Sequence, residues 1–180
     1  LVVLSGAMHI DGLADSCDAL FSGKKKEEIL SIMRDPHKGT FGVLGITADI
    51  LFKALLLFFI PSNLRPTCLL SMGVLSRYSM TIAIAFFPYA RNEGKSKVFF
   101  GQKSLKNFLF STIITLMLLA LIPNLATLIA LICVVIFTFL VSLSLNRKIA
   151  GLTGDSLGAL SELNELAVLL SVFILGGINF

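Results

Sequence analysis

Five apolar runs divide this sequence, at about 41 to 60, 67 to 87, 108 to 122, 125 to 145 and 166 to 180. Most approach the roughly 20 residues that a helix needs to cross about 30 Å of hydrocarbon. In lipid the backbone finds no water to bond, so only helices and closed barrels span a membrane, and these runs lack the alternation of barrel strands. The runs therefore predict an all-α, polytopic transmembrane helix bundle with about five full spans. A further stretch at the N-terminus, LVVLSGAM, is short for a crossing and is expected to be a partial span. Composition agrees, because 14% charged residues fall well short of the roughly 25% of a soluble domain. With 56% hydrophobic residues and a mean hydropathy of +0.90, the chain has too little polar surface to cover itself in water.

The basic residues then orient the bundle. Lys24, Lys25, Lys26, Arg34 and Lys38 lie in the first connection, and Arg91, Lys95, Lys97, Lys103 and Lys106 in the third. Arg147 and Lys148 mark the last, whereas the second has only Arg65 and the fourth, Pro123-Asn124, has none. By the positive-inside rule the first, third and fifth connections face the cytoplasm. The expected location is a cell membrane, inner or plasma, crossed several times with the active face cytoplasmic. The net charge of +4 is explained by this orientation, so nucleic acid is not expected as a partner. Cys17, Cys68 and Cys133 are widely spaced and unpaired with histidine, which fits small packing residues and no zinc site or disulfide framework. Pro61, Pro66, Pro88 and Pro123 fall at the ends of apolar runs, where they cost no interior helical hydrogen bond.

Against this background HIDGLADSCD, residues 9 to 18, is out of place. On a helix Asp11, Asp15 and Asp18 share one face. Like charges so stacked repel, and more strongly where water is excluded. A solvated acidic helix end is one reading. Gly12, Leu13, Ala14 and Ala19, small or apolar, suit close packing beneath the carboxylates instead. A divalent metal site explains both features, since Mg2+ takes oxygen ligands and is commonly held by one or two carboxylates together with substrate phosphates. Carboxylates, metal and a basic surround are the ingredients of phosphoryl transfer.

Three further segments lie on the same predicted face. IMRDPHKGTFG at 32 to 42 offers Arg34, His37 and Lys38 to phosphate and Asp35 to a metal, unless it is an ordinary basic loop. PYARNEGKSKVF at 88 to 99 adds Arg91 and Lys95. GLTGDSLGALSELNEL at 151 to 166 places Asp155 and Glu162 on one helical face with Glu165 a turn further on, while Thr153 or Asp155 would also serve as helix caps. Within the runs, Asp49 and Lys53 are four apart and read as a neutralising pair, and Arg77, with no carboxylate near it on its own helix, either faces an anion or snorkels to an interface.

Together, in this order and spacing, SGAMHIDGLADSCDALFSG, IMRDPHKGTFGVLG, LSRYSMTIAIAFFPYARNEG and GLTGDSLGALSELNELAVLL resemble the adenosylcobinamide-GDP ribazoletransferase (cobalamin synthase) family. The resemblance covers essentially the whole chain. The family pattern T-G-G-x-H-x-D-G-L-A-D-x-x-D-G is matched at Gly6, His9, Asp11, Gly12, Leu13, Ala14, Asp15 and Asp18, with Ser5, Ala7 and Ala19 departing from it. The family has several tens of residues more at its N-terminus, so residues 1–180 are expected to form a single, N-terminally shortened membrane domain. The resemblance implies a Mg2+-dependent transfer of the adenosylcobinamide phosphate group from adenosylcobinamide-GDP to α-ribazole or its 5′-phosphate, with release of GMP. Besides these substrates the bilayer is an expected partner, and a homo-oligomer is compatible. On this reading Asp11, Asp15 and Asp18 hold Mg2+, and one of them or Asp35 accepts the ribazole proton. Substrate falls to His9, Arg34, Lys38, Arg77, Arg91, Thr153, Asp155, Glu162 and Glu165.

Two rivals are weighed against it. A CDP-alcohol phosphotransferase requires Ala-Arg downstream of its Asp-Gly, where this chain has Asp15 and Ser16. A transporter with Asp49, Lys53 and Arg77 at mid-span would concentrate its polar motifs there and repeat them in two halves, whereas here the dense motifs sit at one face.

Overall fold

The structure is a computed structural model that describes residues 2–3, 5–101, 104–122 and 124–176. Lys103, Pro123 and the last four positions of the final apolar run lie outside these. Seven helices occupy the described chain: α1 (Met8–Leu20), α2 (Lys26–Ile32), α3 (Thr40–Phe59), α4 (Arg65–Phe86), α5 (Ser104–Ala120), α6 (Leu125–Ile149) and α7 (Gly154–Gly176), with a 3-10 turn at Lys95–Phe99. Four of them, α3, α4, α6 and α7, are long and apolar enough to cross a membrane, and α5 is a shorter apolar helix. Each of the five predicted runs thus coincides with a helix over its described residues. Two boundaries differ from expectation. The last helix starts at Gly154, well before the apolar run, so it takes in the whole acidic motif. The described residues before Met8 form turns, with the Ala7 amide donating to the Val2 carbonyl, and Leu1 and Leu4 of the expected partial span lie outside the described residues.

Local sequence accounts for several helix ends. Asn124 caps α6, its side-chain oxygen accepting from the Ala126 amide at 2.8 Å. Pro66 sits in the first turn of α4, where no amide is missed. Arg65 donates to the carbonyls of Ile60 and Phe58, both at 2.9 Å, and so tends the end of α3.

α7 is the central helix. It packs against α1, α3, α4 and α6, and 61% of its apolar window is buried, against 11% for α3. That contrast sorts the helices: α3 turns Leu44, Leu51, Phe52, Leu55 and Phe58 outward to lipid, while α7 can carry polar side chains in the interior. Hydrophobic attraction between helices is weak in lipid, so close packing and side-chain hydrogen bonds hold the bundle. Tyr78 and Thr112 (3.0 Å) and Thr81 and Ser111 (2.9 Å) join α4 to α5, and Asn164 reaches Thr138 at 3.2 Å between α7 and α6. Where α1 crosses α7, a β-carbon on Gly12 would lie 2.6 Å from the Asp155 carbonyl oxygen, and one on Gly158 3.0 Å from that of His9. Only glycine admits this approach.

The first, third and fifth connections converge at one end of the bundle, as their charge pattern predicts. Ala90 donates to the Leu152 carbonyl at 2.8 Å and Leu152 to that of Pro88 at 2.9 Å, pinning the segment after α4 to the α6–α7 turn. Gly151 (φ 145) makes this possible, since a β-carbon there would stand 2.6 Å from the Pro88 oxygen. Lys148 donates to the Leu20 carbonyl at 2.5 Å, and Ile29 and Met33 pack with Ala19 and Ile149.

Candidate functional site

The aspartate stripe lies on α1 as its spacing requires, but its three members have different partners. The Lys38 ammonium lies 2.7 Å from Asp11 and also bonds Asp15, bridging the two carboxylates. Asp18 is engaged elsewhere, with one oxygen accepting from the Gly39 amide at 2.7 Å and the other from the Gly42 amide at 2.8 Å. These are among the first amides of α3, which have no intrahelical acceptor, so Asp18 caps that helix from outside and complements its dipole. Asp15 is largely buried and Asp11 is 60% exposed. Burial raises the Asp15 pKa, against the opposing pull of Lys38. Burial also works against the Lys38 charge, but its hydrogen bonds to Asp11 and Asp15 prevail and its pKa is raised. Among the described residues no three His, Cys, Asp or Glu side chains converge as a metal-binding group. Asp11 and Asp15 remain a pair of hard oxygen donors already facing a cation.

Asp35 does not join them. It occupies the exposed turn after α2, where it accepts from the His37 amide at 2.9 Å and lies 2.7 Å from the His37 ring. The amide first, and then the ring, hold its pKa below the ordinary value. His37 is likewise exposed. Arg34 faces Arg91 across an open cleft of about 530 Å3 that separates α2 from the segment after α4.

At the start of α7, Arg91 donates to Asp155 at 3.0 Å. Thr153 is fully buried and caps the helix: its hydroxyl accepts from the Ser156 amide at 3.1 Å, and its own amide donates to the Ser156 hydroxyl at 2.8 Å. Of the two roles open to Thr153, the structure shows the cap.

Glu162 and Glu165 lie deeper, inside the span, where sequence reasoning did not place them. Lys53 bonds Glu162 and lies 2.9 Å from both Asp49 and Glu165. Arg77 lies 2.5 Å from Glu165 and donates to the hydroxyls of Ser76 and Ser161. Arg77 therefore has a carboxylate after all, on a different helix, and the Asp49–Lys53 pair is part of a five-residue network across α3, α4 and α7. A buried charge demands a partner, and that demand was the available signal; which helix would supply it was not readable. His9, on α1, is beside this network. Burial first, then the neighbouring Arg77 charge, lowers its pKa, and its Nδ1 is buried with no hydrogen-bond partner among the described residues.

Comparison with known proteins gives a consistent picture. A family model described as Cobalamin-5-phosphate synthase matches residues 1–173. The chain is 38% identical over 170 residues to the "Adenosylcobinamide-GDP ribazoletransferase" of Thermoanaerobacter sp. (strain X514), covering 93% of this chain and 68% of that protein. Proteins of the same name from Desulfitobacterium hafniense (strain Y51) and Clostridium botulinum (strain Langeland / NCTC 10281 / Type F) are 36% and 34% identical, each over 96% of this chain and 70% of the relative. No solved structure matches the chain.

Proposed function

The chain belongs to the cobalamin-5-phosphate synthase family, and from that membership we propose that it transfers the adenosylcobinamide phosphate group from adenosylcobinamide-GDP to α-ribazole or its 5′-phosphate, releasing GMP. A ribose hydroxyl oxygen of the acceptor bonds to the phosphorus on the cobinamide arm. The bond from that phosphorus to the bridging oxygen breaks, its electron pair leaves with GMP, and the hydroxyl proton passes to a carboxylate.

The observation that carries the residue assignment is the Asp11–Lys38–Asp15 bridge at the motif-bearing end of the bundle. One of these two carboxylates takes the proton, and Lys38, Arg34 and Arg91 draw the pyrophosphate by charge. The same pair fits Mg2+: two hard donors one helical turn apart accept a cation here, and Mg2+ leaves its other positions to water and phosphate oxygens. Bound there, Mg2+ would neutralise charge developing on the phosphate. Asp18 positions α1 on α3, Asp155 holds Arg91 in place, Thr153 fixes the start of α7, and Glu162, Glu165, Arg77 and His9 shape the interior beneath. The basic connections at this end support a cytoplasmic orientation.

The test is reconstitution in lipid with Mg2+, adenosylcobinamide-GDP and α-ribazole, following GMP and cobalamin. Asp15→Asn should lower the rate on the order of a hundredfold or more. Undiminished turnover of that variant, or no product from a folded wild-type preparation, would sink the proposal.

A further inference from the structure

The cleft between α2 and the segment after α4 is separate from the Asp11–Lys38–Asp15 bridge, and the transfer step as described uses only Arg34 and Arg91 of its walls, leaving Lys26, Glu27 and Glu93 without a role. Building on the transferase reading above, we propose that this cleft binds the guanosine monophosphate portion of the donor, its phosphate on Lys26, Arg34 and Arg91 and its guanine on Glu27 and Glu93.

The lining has the needed chemistry. Lys26, Glu27 and Arg34 come from α2 and its end, while Arg91 and Glu93 come from the facing segment. Among the described residues the Lys26 and Arg34 side chains have no ion pair or hydrogen bond, and Arg91, though held by Asp155, keeps a buried Nε without a partner. Unused donors on two guanidinium groups and an ammonium suit phosphate oxygens, which they bind with short, charge-assisted bonds. The two carboxylates only accept. Guanine presents two adjacent N–H donors on its Watson–Crick edge, which one carboxylate can take together. Adenine presents a ring acceptor in that place, which a carboxylate repels.

Size and placement agree. A volume of about 530 Å3 lies within the roughly 300–1,000 Å3 of small-molecule sites. Both walls are anchored, α2 by Ile29 and Met33 against Ile149, and the opposite segment by the Ala90–Leu152 hydrogen bond. The cleft also connects to the acidic helix. Arg91 binds Asp155, and the Asp155 carbonyl lies against Gly12, the residue after Asp11. A pyrophosphate leaving the cleft past Arg91 is therefore directed toward the carboxylate pair.

The experiment measures calorimetric binding of GMP, AMP and inorganic phosphate to the chain in lipid nanodiscs. GMP should bind at least about tenfold more tightly than AMP, and Arg34→Ala should weaken both GMP and phosphate by a similar factor, the loss of one charged hydrogen-bonding group. The double variant Glu27→Gln with Glu93→Gln should abolish the preference for GMP over AMP and leave phosphate binding unchanged. Equal binding of GMP and AMP by the wild type, or GMP binding indifferent to Arg34→Ala, overturns the assignment. Ribazole transfer assayed on the same preparation separates the two proposals. A chain that makes cobalamin while its GMP binding ignores these substitutions loses the cleft alone, whereas GMP binding that follows them without transfer retains the cleft and removes the transferase.

Discussion

At the residue scale, surroundings give similar carboxylates different work. Asp15 is buried beside Lys38, while Asp35 stands in water and serves its own turn. Asp35→Ala should accordingly leave transfer activity within about a factor of two, the range of an ordinary surface change. A loss comparable to that of Asp15→Asn, measured in the same vesicle assay, would return Asp35 to the catalytic set. Charge on Lys38 follows the sign of its shift. Its pKa is raised above the ordinary 10.5, so while the two carboxylates are ionised its attraction to Asp11 and Asp15 is fully present below that value and is lost as pH climbs through the higher folded value. Thermal stability measured against pH should then show no loss from this bridge between about pH 7 and 9, and Lys38→Met should remove the contribution throughout that range.

At the element scale, three helices depend on contacts made by a neighbour. Asp18 supplies the cap that α3 lacks from its own sequence. Asp18→Ala should cost about 1 kcal/mol and lower the melting temperature by about 2–4 °C in a chain of this length, with Asn recovering part of the loss. The crossing of α1 over α7 depends on two glycines, and Gly158→Leu would force the helices apart. About 1–3 kcal/mol of overpacking is expected in a thermal melt, together with loss of transfer, because α1 carries both bridging aspartates. Lys53 balances three carboxylates inside the span. Its removal in Lys53→Met should destabilise by about 3–5 kcal/mol, since the charges left behind have no water to turn to. A melt unchanged by that substitution would mean the network is not formed.

At the scale of the whole molecule, the basic connections, the acidic helix and the nucleotide cleft all gather at one end. Among the described residues, the opposite end carries the short connections around Asn63 and Asn124. Single cysteines at Glu93 and Asn63, introduced after replacing Cys17, Cys68 and Cys133, should therefore react with a membrane-impermeant thiol reagent from opposite sides of sealed vesicles. Glu93→Cys should label from the cytoplasmic side. Labelling of both from one side would break the topology on which the site depends.

The sequence by itself missed α2 and the length of α7 but determined the membrane-spanning character, the rough position of the apolar helices, the gathering of the motifs at one end, and the family. Each of these follows from local quantities: the length of an apolar run, the charge of the connection beside it, the order of short motifs. Tertiary structure alone decided which charges share a site. Asp11, Asp15 and Asp18 are indistinguishable by spacing, yet two face Lys38 and the third caps α3, because the loop that starts α3 lies across their helix. Glu162 and Glu165 belong by motif to the acidic end and by depth to Lys53 and Arg77, since α7 begins before its apolar run and carries them into the bundle. In lipid a charge must be neutralised by whatever packing brings near, and partners drawn from helices far apart in the chain leave no trace in local spacing.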